Sequence, residues 1–247
     1  MSCRLIPRDY EMMLFVGLCK YVCTGQLKQE FFTSLNRARR RIRKLFDAGL
    51  LDIHVAGSTS QNLVSLSKEG LALVKKSFPQ LTERLNRPGT ISLAGVEHHL
   101  AVVDVRQYLA TLTQTRSWAL LGWQSGSGAL AQELGLLQFR LRPDALAEIE
   151  TNTNPGTITL GIEVDCGTEN MGFTLAGKLD KYGQVFLSGD LIDELWIVVT
   201  GGKLRQQSLE EQVRQAGLEQ WTRVIAHSLL LTRPVVSVVD EAAGQGV

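Results

Sequence analysis

Hydrophobic positions in the first part of the chain recur mostly every three or four residues, and this spacing predicts helices. The pattern is clearest after Ser34, a good N-terminal cap, because the apolar side chains that follow share one face until Gly49 ends the helix. Two short stretches joined by a Gly-Ser-Thr-Ser turn then predict a β-hairpin. The predicted elements are helices at 8–22, 26–32, 34–49 and 67–75, and strands at 50–55 and 62–66.

Three helices, a hairpin and a fourth helix, in this order, are typical of a winged helix-turn-helix domain, whose third helix enters a groove of DNA. Here five of six consecutive residues in that helix are Arg or Lys. At about 100° per residue, Arg40 and Lys44 lie opposite the apolar stripe, with Arg37 beside them and Arg41 and Arg43 at the flanks. A solvated basic face and a winged helix that contacts protein are the alternatives. We predict binding of double-stranded DNA through Arg37, Arg39, Arg40, Arg41, Arg43 and Lys44.

The pattern changes where Pro79, Pro88 and Gly89 interrupt it, which indicates a linker. Helices and short strands then follow in a mixed α/β order. We therefore predict an α+β protein of two domains: a winged helix-turn-helix at 1–80, a linker at 81–92, an α/β domain with a central mixed sheet at 93–235, and a flexible tail at 236–247. The predicted elements of the second domain are helices at 97–113, 171–182 and 209–218, and strands at 117–123, 136–141, 145–149, 158–165, 195–199 and 224–231.

The distribution of charge favours different roles for the two parts. The chain of 247 residues has a net charge of +1, yet residues 1–88 hold 15 Lys and Arg against 7 Asp and Glu, and the remainder holds 11 against 18. This asymmetry is typical of a polyanion-binding module joined to another domain. A hydrophobic content of 44% excludes a disordered chain. The apolar runs are far shorter than the ~20 residues of a membrane helix, and the N-terminus has no apolar signal core, so we expect a cytoplasmic protein without membrane contacts.

Two acidic motifs in the second half carry candidate chemistry. Asp144 follows a proline at the start of a predicted strand, and Glu163 and Asp165 on the next strand point to one face because side chains alternate. Three carboxylates suit Mg²⁺ or Mn²⁺, which would activate a water and stabilise charge on a phosphate. Lys178, on the following helix, is placed to neutralise that charge. Alternatively, the carboxylates end a strand and pair structurally with Lys178 or Arg142.

These motifs resemble known families. Pro143-Asp144, followed 19 residues later by Glu163-Val164-Asp165, resembles the PD-(D/E)xK nucleases, which share the restriction-endonuclease-like fold. Asp165 stands where lysine is usual, and Lys178 resembles the lysine that some members carry on the following helix. From roughly residue 8 to 200 the chain is similar to the replication-relaxation family of plasmids and mobile elements. The motifs that carry this similarity are His98-His99, Pro143-Asp144-Ala145, the stretch 163–169, and Lys178 with Tyr182.

The resemblance implies a winged helix joined to a nuclease-like domain that acts in the replication, relaxation or transfer of DNA. Two functions remain open. In the first, the chain is a DNA-binding factor whose second domain recruits partners or dimerises. In the second, it is a divalent-metal-dependent endonuclease or nickase, with Asp144, Glu163, Asp165 and Lys178 as catalytic residues and Mg²⁺ or Mn²⁺ held by the three carboxylates. The expected partners are double-stranded DNA, proteins of replication, transfer or transposition, and a second copy of the chain.

Overall fold

A computed structural model describes residues 4–55, 62–85, 87–89, 91, 93–125, 135–152, 156–167, 174–189 and 191–232. The chain forms a mixed α+β structure that divides into two compact units, Met1–Val103 and Asp104–Val247. The division falls inside a long helix. Residues 81–92, predicted as a linker, and the first turns of that helix therefore belong to the first unit.

The first unit combines helices with a three-stranded antiparallel sheet of order β1-β3-β2. Its core is built from apolar side chains of the helices and the sheet, and it includes Leu85 and Val103 from beyond the last strand. A 3₁₀ turn at Pro79–Arg84 precedes the long helix α5, Leu93–Thr115. The other elements are α1 (Pro7–Cys19), β1 (Tyr21–Cys23), α2 (Thr24–Phe31), α3 (Leu35–Asp47), β2 (Leu51–Val55), β3 (Asn62–Leu66) and α4 (Lys68–Ser77).

Helix α3 forms where the sequence predicts it. The Ser34 hydroxyl oxygen accepts a hydrogen bond from the Arg37 backbone N–H, which is one of the groups a helix start leaves unpaired. Gly49 follows the helix with φ 72°, a left-handed conformation that favours glycine. The buried side chains of the helix are Ala38, Ile42 and Leu45, which the predicted stripe contains.

The predicted end of the first helix, at residue 22, is wrong. The helix stops at Cys19, and Tyr21–Cys23 is a strand that pairs antiparallel with β3. Lys20 has φ 66° between them, so the chain changes direction there. A strand of three buried residues is too short for alternation to show in the sequence. The second helix begins two residues before the prediction, at Thr24.

The second unit is built around a five-stranded mixed sheet of order β4-β5-β6-β7-β8. The pairs β4–β5 and β5–β6 are antiparallel, whereas β6–β7 and β7–β8 are parallel. The elements are β4 (Ala119–Ser125), β5 (Ala145–Glu150), β6 (Thr157–Asp165), α6 (Thr174–Ser188), β7 (Glu194–Val199), α7 (Lys203–Gln215), β8 (Thr222–Ala226) and α8 (His227–Leu231).

The sheet is covered on both faces. On one face, strand residues such as Ile197 join a buried cluster with Tyr182 of α6 and Leu209 of α7. On the other face, Trp196 contacts Tyr108 of α5, with ring centroids 6.2 Å apart. A central mixed sheet was predicted, and the structure has one.

Two predicted strands of the second unit are wrong. The run 136–141 contains a 3₁₀ helix, Leu136–Phe139, between Gly135 and Arg140, which both have left-handed φ angles. A short apolar run does not distinguish strand from helix by periodicity. The segment 224–231 divides into the end of β8 and helix α8. The predicted tail at 236–247 lies outside the described residues. None of the described helices is long and apolar enough to cross a bilayer.

Candidate functional site

Helix α3 carries the side chains predicted to contact DNA on its solvent side. Because its apolar stripe is buried in the first unit, the basic residues on the opposite side are left in solvent. Five of the six predicted residues are exposed, namely Arg37, Arg39, Arg40, Arg43 and Lys44.

Arg41, the sixth, is engaged inside the unit. Its Nε donates to Oδ1 of Asp9 at 2.7 Å, and its Nη2 donates to the other oxygen of that carboxylate. Asp9 is 1% exposed and also accepts from the Ile6 backbone N–H at the start of α1, at 2.7 Å. Since a buried carboxylate requires such a partner, Arg41 connects α3 to α1 and its charge is compensated there.

The remaining cations fall on two sides of α3. Arg39 and Arg43 border a cavity of about 520 Å³ between the helix, the start of α2 and the sheet, where Thr24 and Asn62 also lie. Arg43 forms an exposed ion pair with Asp47 at 2.8 Å, which contributes little to stability. Arg37, Arg40 and Lys44 face the side of α1.

In the second unit, Asp144 lies just before β5 and opposite Glu163 of the neighbouring strand β6. Asp144 immediately precedes Ala145, whose partner across the antiparallel pair is Ile162, so the register places Asp144 next to Glu163. The Asp144 carboxylate accepts a hydrogen bond from the Val164 backbone N–H at 2.8 Å. The two acidic motifs that the sequence singled out are therefore brought together.

Glu163 is buried, with 3% of its surface exposed, and both of its carboxylate oxygens accept hydrogen bonds. Lys178 Nζ lies 2.7 Å from Oε2, and the Tyr182 hydroxyl lies 2.9 Å from Oε1. Burial raises the pKa of Glu163 to about 8, and the nearby charge of Asp144 adds to the effect, while Lys178 and Tyr182 oppose it. Burial, followed by the charge of Glu163, also raises the pKa of Tyr182 well above its ordinary value.

Asp165 belongs to a separate pair. It points to the same face of β6 as Glu163, as strand alternation requires. Its Oδ1 accepts from Arg205 Nε at 2.9 Å and its Oδ2 accepts from Nη2 of the same guanidinium. The Gly167 backbone N–H also donates to Oδ1, at 2.9 Å. Asp165 thus joins β6 to α7, whereas Glu163 joins β6 to α6.

In this arrangement the hydrogen-bond donors around the carboxylates belong to the protein itself. Both oxygens of Glu163 and both of Asp165 are held by protein donors, and the adjacent Lys178 and Arg205 already supply positive charge. Among the residues that the structure describes, no group of three or more His, Cys, Asp or Glu side chains is placed to hold a metal. A metal ion held by Asp144, Glu163 and Asp165 stays a prediction from the sequence.

Three residues of these networks were not given roles from the sequence. Tyr182 follows Lys178 by four residues, which places both on one helix face, so the spacing held a signal. Arg205 and Asp9 gave no local signal, because each meets its partner through tertiary packing.

Comparison with protein families finds a match. The family model described as replication-relaxation matches residues 16–193, a stretch that contains α3, both acidic motifs and the Lys178–Tyr182 face of α6. Neither the curated proteins nor the solved structures give a match. The matched stretch covers well over half of the 247 residues. The chain therefore belongs to the replication-relaxation family.

Proposed function

We propose that this chain is a DNA-binding factor that acts in the replication or relaxation of plasmid or mobile-element DNA, and that α3 is its contact with the double helix. The observation that carries the proposal is the row of exposed cations on α3, backed by a buried apolar stripe. Lys and Arg that neutralise phosphates release the counterions condensed on DNA, and this supplies much of the affinity.

The order of elements in the first unit supports a winged-helix mode of binding. Helix α3 follows two helices and precedes the β2–β3 hairpin, and β1 joins that hairpin in a small sheet. In winged helix-turn-helix domains the corresponding helix enters the major groove. Arg can also form two parallel hydrogen bonds with guanine, so the same face has the chemistry to select sequence.

In this proposal the second unit is a nuclease-like domain that does not cut DNA. Its acidic residues bind Lys178, Tyr182 and Arg205 of its own helices. These contacts fix α6 and α7 on the sheet. The unit then provides a surface for partner proteins or for a second copy of the chain, and the family description, replication-relaxation, supports replication proteins as those partners.

The test of DNA binding is a triple variant of the full chain in which Arg37, Arg40 and Lys44 are replaced by alanine. Arg41 is left unchanged, because its loss would leave the buried Asp9 carboxylate without its ion-pair partner and damage the fold. We expect the slope of log Kobs against log salt for duplex DNA to fall by about three, one for each lost phosphate contact.

The control variant carries the same loss of charge on exposed residues of the first unit that lie off α3, Lys68, Lys76 and Arg84. Its slope is expected to stay near that of the wild type. Equal slopes for the wild type and the α3 variant at matched salt would refute the assignment of α3.

A metal-dependent nuclease is the second candidate function. The observation in its favour is that Lys178 Nζ lies 2.7 Å from Glu163, which is itself opposite Asp144, so the acidic and lysine positions of the resembled motif lie together. The test incubates supercoiled plasmid with the protein and Mg²⁺ or Mn²⁺. Nicked circles that disappear with Asp144→Asn would favour the nuclease, whereas intact supercoils under both metals would leave only the binding factor.

A further inference from the structure

A pocket of about 290 Å³ lies beside α3 in the first unit, on the side that faces α1. It has room for roughly ten water molecules at ~30 Å³ each, which is ample for a phosphate group. Five of its six lining residues are basic. The lining residues are Arg8, Phe32, Arg37, Arg40, Arg41 and Lys44.

Most of this positive charge is not compensated within the pocket. Asp9 accepts from Arg41, and no carboxylate is among the lining residues. Neither Arg40 nor Lys44 forms an ion pair with any residue that the structure describes. Several cations in one concave site focus an electrostatic field that attracts anions.

Arg8 is the member of the pocket that comes from outside α3. It belongs to the first turn of α1, and its guanidinium carbon lies 4.5 Å from the centre of the Phe32 ring. This cation–π contact holds the side chain against the α2–α3 connection and limits its rotamers. Arg8 is therefore oriented beside Arg40 and Lys44 before any ligand arrives.

We propose that this pocket is a phosphate site, in which Arg8 of α1 and the cations of α3 hold a phosphate of the DNA backbone. The inference rests on the proposed function and extends it, because it adds a contact from α1 to the DNA-binding surface. A backbone phosphate is favoured over a free one since Arg37, Arg40 and Lys44 both line the pocket and form the exposed row of α3. A DNA strand bound along that row therefore also reaches the pocket.

The contact in the pocket positions the protein on DNA and does not read the base sequence. Guanidinium groups bind phosphate oxygens through paired N–H donors, with a geometry that Lys lacks. A phosphate held there would fix the position of α3 along the groove, as backbone contacts do in DNA complexes generally. The contact itself carries no sequence information, so its loss weakens binding to all duplexes alike.

The experiment compares Arg8→Gln with Arg84→Gln in the full chain, by measuring the affinity for duplex DNA from about 50 to 200 mM salt. Arg84 is an exposed arginine of the same unit outside the pocket. We expect the salt slope to fall by about one for Arg8→Gln and to stay unchanged for Arg84→Gln. Arg8→Met keeps the apolar stem on Phe32, and circular dichroism melts identify which of the two neutral variants retains the wild-type fold.

Three outcomes overturn the proposal, and they are distinguishable. A wild-type slope for folded Arg8→Gln and Arg8→Met, with wild-type protein binding DNA normally, removes the pocket from the DNA surface but leaves α3 in place. Calorimetric binding of inorganic phosphate that is lost in Arg8→Gln, together with an unchanged DNA slope, assigns the pocket to a free anion. Absence of DNA binding by the wild-type chain refutes the proposed function and the backbone phosphate with it.

Discussion

At the scale of single residues, Glu163 is a buried ionisable side chain whose protonation affects the stability of the fold. Its carboxyl group accepts from Lys178 and Tyr182, a pattern that suits the ionised form. Burial nevertheless raises its pKa to about 8, because the surrounding apolar side chains disfavour a charge more than the two donors favour it. In the unfolded chain the same group has its ordinary pKa of 4.5.

This difference predicts a pH dependence of the free energy of unfolding. Between pH 4.5 and about 8 the folded state holds a proton on Glu163 that the unfolded state has lost. The contribution of Glu163 is therefore fully present below pH 4.5 and is lost as the pH rises towards 8, by up to about 1.4 kcal/mol per pH unit. Urea unfolding of the full chain at several pH values measures it.

Glu163→Gln is the matched variant for this prediction. Glutamine keeps an oxygen that accepts a hydrogen bond but does not titrate. We expect its unfolding free energy to change less between pH 5 and pH 8 than that of the wild type. Parallel pH profiles for the two proteins would show that Glu163 titrates near its ordinary pKa in the folded state.

At the scale of elements, the sequence predicts best where the hydrophobic pattern is long. The helix capped by Ser34 and the strand at Thr157–Asp165 lie close to their predicted bounds, because each has a clear stripe or alternation. The strand β1 and the 3₁₀ helix at Leu136–Phe139 were wrongly predicted. Both are only a few residues long, and pairing with distant strands or local left-handed residues decides their structure.

The candidate sites were predicted unevenly for the same reason. The exposure of most basic residues on α3 follows from helical geometry alone. The face shared by Glu163 and Asp165 follows from alternation on a strand. The partners of Asp165 and Arg41 cannot be predicted from these patterns. The sequence does not show that α7 places Arg205 on Asp165 or that α1 places Asp9 on Arg41. These contacts depend on how helices pack, which no local pattern contains.

Lys178 is one of the side chains that join α6 to β6, and this leads to a prediction for Lys178→Met. Methionine keeps the apolar stem but removes the donor to Glu163, whose side chain is 4% exposed. We expect a loss of about 1 to 3 kcal/mol in unfolding free energy, as for a charge-assisted hydrogen bond to a buried group. DNA affinity should be unchanged, since α3 is untouched.

Lys181→Met is the control on the same helix, because Lys181 donates to the Arg140 carbonyl oxygen, at 3.2 Å, in an exposed contact. Its loss should cost less than that of Lys178. If Lys178→Met were as stable as the wild type and abolished metal-dependent nicking, the lysine would belong to a catalytic site, and the structural interpretation would be wrong.

At the scale of the whole molecule, the two units differ in charge as well as in fold. Residues 1–103 hold 15 Lys and Arg against 8 Asp and Glu, and residues 104–247 hold 11 against 17. The basic unit carries the surface proposed for DNA, and the acidic unit carries the carboxylate networks. The net charge near zero therefore results from a basic first unit and an acidic second unit. This separation of charge agrees with DNA binding through the first unit.

The first unit includes the start of α5. Leu85, Val96 and Val103 are each at most 3% exposed, and all three contribute to its buried clusters. The Gln26 side-chain amide donates to the Leu100 carbonyl oxygen at 2.9 Å, and His99 Nε2 lies 3.0 Å from the Tyr21 carbonyl oxygen. A fragment that ends before these residues would expose the side chains they cover.

We therefore predict that residues 1–103 fold independently, whereas residues 1–80, the range predicted for the winged helix, are at most marginally stable. Burying one leucine and two valines contributes about 4.5 to 9 kcal/mol, at 1.5 to 3 kcal/mol each, which is comparable to the entire stability of a small domain. Urea unfolding followed by circular dichroism should give a cooperative transition only for the longer fragment. That fragment should also retain the salt-dependent DNA binding of the full chain, since it contains α3 and Arg8. Equal urea midpoints for the two fragments would show that residues 81–103 contribute nothing to the stability of the first unit.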